Sequence, residues 1–441
     1  MATGTIDNGN KFGLASIILL GVNAIIGSGI FLLPGDAYQA LGPSAIGVFL
    51  LCALLVMCLA LCFAELASRT SENGASYVYV QAAFGDYAGF NVGVLTWFAS
   101  SLGIAGAFAA LLTAAEAIVP QLANPAGYHI VGCSLIMLMF FLAYLGMKSS
   151  RRVSNVSSIA KLSALALFII LGMSAVQLNH FNPFVPAAVD SGLAYGDRLG
   201  AIFIVLFFAF TGFETLPIAA AHMRHPKRNL PLALLIVVSI CTLFYLLIMW
   251  VCIGVLGAKL GHTGVAVASA SEQLWGNKGL WFISIATVIS IFGVAFTGVF
   301  NAPVLLAALA TKGFVPKGLA RVNGRGSYGR AIVLTAMLVM VAFLSGSFLV
   351  LASLMTVAVF LQYIPVALAV LKLRRTQGGR APFQVPFGPM IPCFAVIFAV
   401  TMVVMAGTKI ILFGLGSWLG ASALYGMHRY WLTRVHAGDN N

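Results

Sequence analysis

The sequence predicts an all-α integral membrane protein of twelve transmembrane helices, with the first and sixth interrupted near mid-span. Three observations carry this. The 441 residues are 61% hydrophobic and only 8% charged, with a mean hydropathy of +1.02, a composition outside that of ordinary soluble domains. Twelve apolar runs approach or exceed the roughly 20 residues that a bilayer core requires. Two of these runs, five spans apart, carry a Gly with a Pro five positions later: Gly29 with Pro34, and Gly212 with Pro217.

In chain order the spans are predicted at 14–40, 43–67, 88–119, 128–147, 155–178, 198–222, 231–257, 278–310, 331–348, 350–371, 390–409 and 411–432. Span 1 is broken because Gly27, Ser28 and Gly29 sit in its middle, and span 6 because Thr211 and Gly212 sit in its own. Unwound backbone inside a bilayer leaves N–H and C=O groups that only protein, water or a solute can satisfy, so paired breaks mark a solute pathway. The longer polar connections are 69–87, 179–197, 257–278 and 311–330, and the third is expected to carry a short helix near Ala266 to Leu274. The first run exceeds a signal-peptide core and lacks a small-residue cleavage pattern, so it is expected to stay as mature structure.

The net charge of +13 does not point to nucleic acid, because the basic residues are spread over short loops in the manner of positive-inside sorting. With the N-terminus cytoplasmic, Arg198, Lys259, Lys278 and Lys409 fall outside and Lys161 lies within a span. The other basic residues all fall inside. Both termini are therefore expected in the cytoplasm of a multi-pass protein of the cytoplasmic membrane. The seven cysteines lie in predicted spans without metal-like spacing and read as packing residues. His222 and His225 beside Arg224, Lys227 and Arg228 make a poor divalent-cation site. No Gly-rich Lys-Ser/Thr loop for nucleotide phosphates is present, and no clustered nucleophile and base. No cofactor, no metal and no enzymatic activity are expected.

No linker divides the chain, so residues 1–441 form one polytopic domain. Breaks in spans 1 and 6 occupy equivalent positions of two five-span halves, 14–178 and 198–371. Five is odd, so the halves must be inverted, with the breaks meeting near the midplane. Residues 390–432 supply two additional helices.

Three motifs in order, GSGIFLLP at 27–34, FAFTGFETLP at 208–217 and HPKRNLP at 225–231, resemble those of the amino acid/polyamine/organocation transporters. The resemblance spans nearly the whole chain. It implies the five-plus-five inverted repeat of the LeuT-like kind, and a secondary transporter of L-amino acids that works by alternating access, proton-coupled or as an exchanger.

A zwitterion at mid-membrane needs a counter-charge for its carboxylate and acceptors for its ammonium. Amides freed at a half-helix start suit an anion. Here they belong to Ser28, Gly29 and Ile30, with Gly27 and Gly29 allowing close approach of a ligand to the backbone. The bland alternative is that these glycines merely allow tight helix packing. The resemblance places the ammonium acceptors at the carbonyls of Ile25, Phe208 and Thr211. It also makes Phe208, one turn before Gly212, an aromatic gate, where the alternative is simple packing. Glu214 is costly in lipid and must face protein or water; it reads as a proton sensor or gate holder, or as an ordinary carboxylate at a helix start.

Lys161 lies roughly 9 Å into span 5, within reach of snorkelling. The resemblance instead puts its ammonium where sodium-coupled relatives hold their second sodium, bonded to span 1 near Asn23 and to a hydroxyl of span 8, for which Thr297 is the candidate. No sodium is then expected there, and loss of the Lys161 proton would release span 1. By the same alignment Ile104 and Gly298 replace an Asn and an aromatic of arginine/agmatine antiporters, favouring neutral, apolar or aromatic substrates. Glu65, at the end of span 2, is expected on a solvated surface, or in an ion pair with Arg228. The rival reading is a transporter of polyamines or another organic cation; a channel or receptor lacks support, because no filter-like repeat or large sensing domain is present.

Overall fold

A computed structural model describes residues 13–69, 76–147, 151–186, 192–219, 223, 225–377 and 381–438. Lys11, Lys148, His222, Arg224 and Arg380, which entered the charge and metal arguments, lie outside these. The chain folds as α1 (Leu14–Ile25), α2 (Gly29–Leu41), α3 (Ala45–Arg69), α4 (Ser76–Phe84), α5 (Asp86–Glu116), α6 (Pro125–Tyr144), α7 (Arg151–Gly172) and α8 (Gly192–Phe207). It continues as α9 (Thr215–Ala219), α10 (Pro226–Leu256), α11 (Ala266–Trp275), α12 (Asn277–Thr311), α13 (Gly329–Ser345), α14 (Phe348–Thr376), α15 (Met390–Met405) and α16 (Thr408–Gly438). Among the described residues nine helical segments are long and apolar enough to cross a membrane, and α1, α13 and α15 are shorter apolar helices. One of the nine, Gly29–Arg69, runs through both α2 and α3. The short helix expected in the 257–278 connection is α11.

Both expected interruptions are present. After Ile25 the backbone turns extended at Ile26 (φ −72°, ψ 94°), and helix resumes only at Gly29. In the second break α8 tightens into a 3₁₀ turn, Phe208–Phe210, then Thr211 is extended (ψ 158°) and Gly212 adopts φ +111°. That φ lies in the region open to glycine and strained for any residue with a Cβ, which is why a glycine ends the first half of this span. Helix restarts at Thr215.

Packing sorts the helices around the breaks. α3 lies chiefly along α10, which also carries α1, whereas α14 and α12 lie chiefly along α5. A cluster of buried aromatics fills the space between the two groups: Phe63 of α3 meets Phe213 and Tyr363 edge-on, each with ring centroids 5.5 Å apart. Such edge-to-face pairs contribute roughly 0.5–1.5 kcal/mol beyond area burial, a useful term where lipid removes the usual hydrophobic drive for helix association.

One charge departs from expectation. Glu65 is not on a solvated surface and does not pair with Arg228: its side chain is fully buried and held by Arg69 and Arg374. A carboxylate away from water needs partners of this kind to remain ionised.

Candidate functional site

The two interruptions are pressed against one another. A Cβ built on Gly29 would lie 2.6 Å from Ala209 Cβ and 2.8 Å from Ala209 Cα, and one on Gly212 would overlap the Ala24 carbonyl. Glycine at each crossing point is what lets two main chains approach without side chains between them. Ser28, Gly29 and Ile30 stand at the start of α2, where amides have no carbonyl one turn earlier in their own helix; all three are buried. Gly27 is only half-buried, with Val294 Cγ2 of α12 among its nearest neighbours at 3.9 Å from its Cβ direction.

The carbonyl side of the site is partly occupied by the protein. Tyr245, buried in α10, donates its hydroxyl toward Ile25 O (3.1 Å) and Ala209 O (2.7 Å), bridging the ends of both broken helices. Phe208 O accepts from the Thr211 hydroxyl (2.7 Å) and amide (3.1 Å). A carbonyl has two lone pairs, so Ile25 keeps one for a further donor. Tyr245 has one hydrogen to share between the two carbonyls, the shorter contact being to Ala209 O, so Tyr245→Phe removes the equivalent of one bond, about 0.5–1.5 kcal/mol. The variant is expected to melt lower and to transport several-fold more slowly, read by thermal shift and proteoliposome uptake. An unchanged uptake rate would deny the bridge a role.

Lys161 is fully buried and points inward onto α1: its Nζ donates to Ile26 O (2.6 Å) and Asn23 O (3.3 Å). Thr297, expected to give it a hydroxyl, instead donates to Gly293 O one turn back in its own helix (2.9 Å). The hydroxyl contact between α7 and α12 is made by Ser157, which donates to Ile289 O (3.2 Å). Glu214 Oε2 accepts from the Gly212 amide (2.8 Å) and from Tyr363 Oη of α14 (2.6 Å), so the carboxylate braces the turn from which it emerges.

Phe208 is half-buried, its ring edge-on to Phe348 at the start of α14, with centroids 5.6 Å apart. Ile104 and Gly298 face each other: a Cβ on Gly298 would come within 2.8 Å of Ile104 Cγ1. Sequence reasoning missed Tyr245, Tyr363 and Phe348. The two tyrosines had a readable signal, since a phenol inside an apolar span needs a hydrogen-bond partner, but the partner itself could not be read. Among the described residues no group of three His, Cys, Asp or Glu side chains could hold a metal ion.

Interrupted helices whose free main-chain groups converge inside a bundle of apolar helices define a multi-pass membrane transporter. Residues 12–412 match the family model described as amino acid permease, and the chain belongs to that family, as the motif resemblance implied. It is 28% identical to a branched-chain amino acid permease of Bacillus subtilis, covering 90% of this chain and 88% of the relative. A methylthioribose transporter of the same organism is 26% identical over 85% and 84% of the two chains. A serine/threonine exchanger, also from Bacillus subtilis, is 25% identical over 89% and 90%. Family and relatives are transporters, not enzymes.

Proposed function

We propose that this permease moves L-amino acids with neutral, apolar or aromatic side chains across the cytoplasmic membrane by alternating access, as an exchanger or in proton symport. The observation that carries this reading is the mutual contact of the breaks at Gly29–Ala209 and Gly212–Ala24, which brings freed amides and freed carbonyls within one small volume. In this reading the chain crosses the membrane twelve times with both termini in the cytoplasm. Segments 14–178 and 198–371 form inverted repeats, and 390–432 is an addition. The amides of Ser28, Gly29 and Ile30 take the substrate carboxylate. Of the three carbonyls expected to take its ammonium, Ile25 and Thr211 do so, with Tyr245 sharing Ile25, while Phe208 becomes available only when the two bonds it accepts from Thr211 loosen.

Phe208 closes the pathway from outside against Phe348, and α1 swings to open it inside, with Lys161 holding or releasing α1 in place of a sodium ion. The apolar wall formed by Ile104 against Gly298 supports a neutral side chain, as do the names of the branched-chain permease and the serine/threonine exchanger. A relative named as a methylthioribose transporter points to a different solute within the same family. An organic cation is the weaker reading, because the Glu214 carboxylate that would attract it is already bonded to Gly212 and Tyr363. Uptake of labelled leucine and of labelled putrescine into proteoliposomes separates the two. Saturable leucine flux that is stimulated by leucine on the opposite side, without need of sodium, is the expected result. Putrescine flux alone would overturn it.

A further inference from the structure

Among the described residues, the buried carboxylate of Glu65 is the most heavily bonded charge outside the substrate site. It lies one turn before the C-terminal end of α3. Arg374, near the end of α14, approaches it with two nitrogens: Nε reaches Oε1 at 2.8 Å and Nη2 is bonded to Oε2. Arg69 Nη2 reaches Oε1 at 3.0 Å, and the Val385 amide donates to Oε2 at 2.8 Å. The loop after α14 is fastened a second time, because Ser68 Oγ donates to Phe383 O (3.2 Å) and Arg374 Nη2 reaches Val385 O (3.3 Å). This cluster ties together the two packing groups of the fold, α3 with α10 on one side and α14 with α5 on the other. A permanent structural tie across that seam would oppose any relative motion of the groups.

α14 touches the pathway at two other levels, through Phe348 against Phe208 and Tyr363 against Glu214. Arg374 lies 11 residues beyond Tyr363, about 16 Å along the helix. Pro365 stands between them; without an N–H it leaves the Leu361 carbonyl without its usual helical donor and gives the helix a point of bending. We propose that Glu65 and Arg374 are positioning residues of the transport cycle. They clamp the Val385 loop and the end of α14 onto α3 while the inner side is closed, and they part when that side opens. The proposal rests on the alternating-access reading and on the orientation given above, which places this cluster at the cytoplasmic end.

Cys62, on α3 one turn before Glu65, is fully buried and serves as a native reporter. In substrate-free proteoliposomes N-ethylmaleimide modification of Cys62, assigned by peptide mass spectrometry, is expected to be about tenfold faster in Glu65→Gln, as befits the loss of a charge-assisted hydrogen bond. The ratio of net leucine efflux to leucine exchange is expected to rise in the same variant, because net efflux requires the empty carrier to reorient and exchange does not. Arg374→Lys, which keeps the cation but not its two-pronged grip, should fall between, and decides the matter by the same readouts if Glu65→Gln folds poorly. Unchanged Cys62 modification, or faster modification with an unchanged flux ratio, would overturn the clamp. Absence of leucine flux in the unaltered protein would count against the substrate reading instead, and the clamp would then be decided by the same two readouts, with the flux ratio measured for whichever amino acid the unaltered protein does carry.

Discussion

Valine in place of Gly29 is expected to abolish leucine binding and to reduce uptake to that of empty liposomes. The added Cβ alone meets Ala209 at 2.6 Å from its Cβ and 2.8 Å from its Cα. The second of these is backbone, which cannot rotate away as a side chain would. Ala209 is further held through its carbonyl by Tyr245. The strain of such an overpacked contact is about 1–3 kcal/mol, and relieving it means parting the two breaks, which takes the Ser28–Ile30 amides away from the carbonyls of the second break. A matched control separates this from a general intolerance of larger residues: Gly47, in α3, has nothing within 4 Å of a built Cβ, so Gly47→Val should transport normally. Thermal-shift titration with leucine, alongside uptake, reads both variants. Normal leucine binding by Gly29→Val would refute the view that contact between the breaks forms the site.

The breaks themselves were legible because they are local. Small residues and Pro inside an apolar run leave few ways to continue a helix, and the chain responds within a few residues of Gly29 and of Gly212. The short helix Ala266–Trp275 was readable for the same reason. What fastens the breaks was not legible. Tyr245 meets Ile25 across 220 positions, Tyr363 meets Glu214 across 149 and Arg374 meets Glu65 across 309, and no periodicity or spacing reports such pairings.

Glu65 shows how the misreading arises. A carboxylate in the last turns of a span would ordinarily reach water, and only the fold brings Val385 and Arg374 over it. At Thr297 the hydroxyl hydrogen goes to the carbonyl four residues back, Gly293, while the Lys161 ammonium is bonded to Ile26 O and Asn23 O of the interrupted span, main-chain partners that side-chain spacing does not report.

Lys161→Ala is expected to leave leucine binding detectable, to slow uptake about 10–100-fold, and to remove its dependence on pH. The ammonium supplies donors to two carbonyls at the interrupted end of α1, Ile26 and Asn23. Hydrogen bonds from a charged donor contribute about 1.5–3 kcal/mol each. Their loss therefore lowers the fraction of molecules with α1 docked by tenfold or more, while Ser28–Ile30 still meet the carboxylate. In the proposed reading, gain and loss of the lysine's proton would alternately strengthen and weaken the docking, so uptake is expected to vary with pH; with alanine there is no proton to exchange and a flat profile is expected.

Lys161→Met keeps most of the buried volume without the charge and should behave as alanine does, which sets packing aside as the cause. Cys241 is buried in α10, a helix that packs against α7, and Cys241→Ala should keep the pH profile of the unaltered protein. A pH dependence that survives in both lysine variants would move the coupling away from α7. Glu214, bonded to Tyr363 and standing at the other break, is the group to which it would then pass.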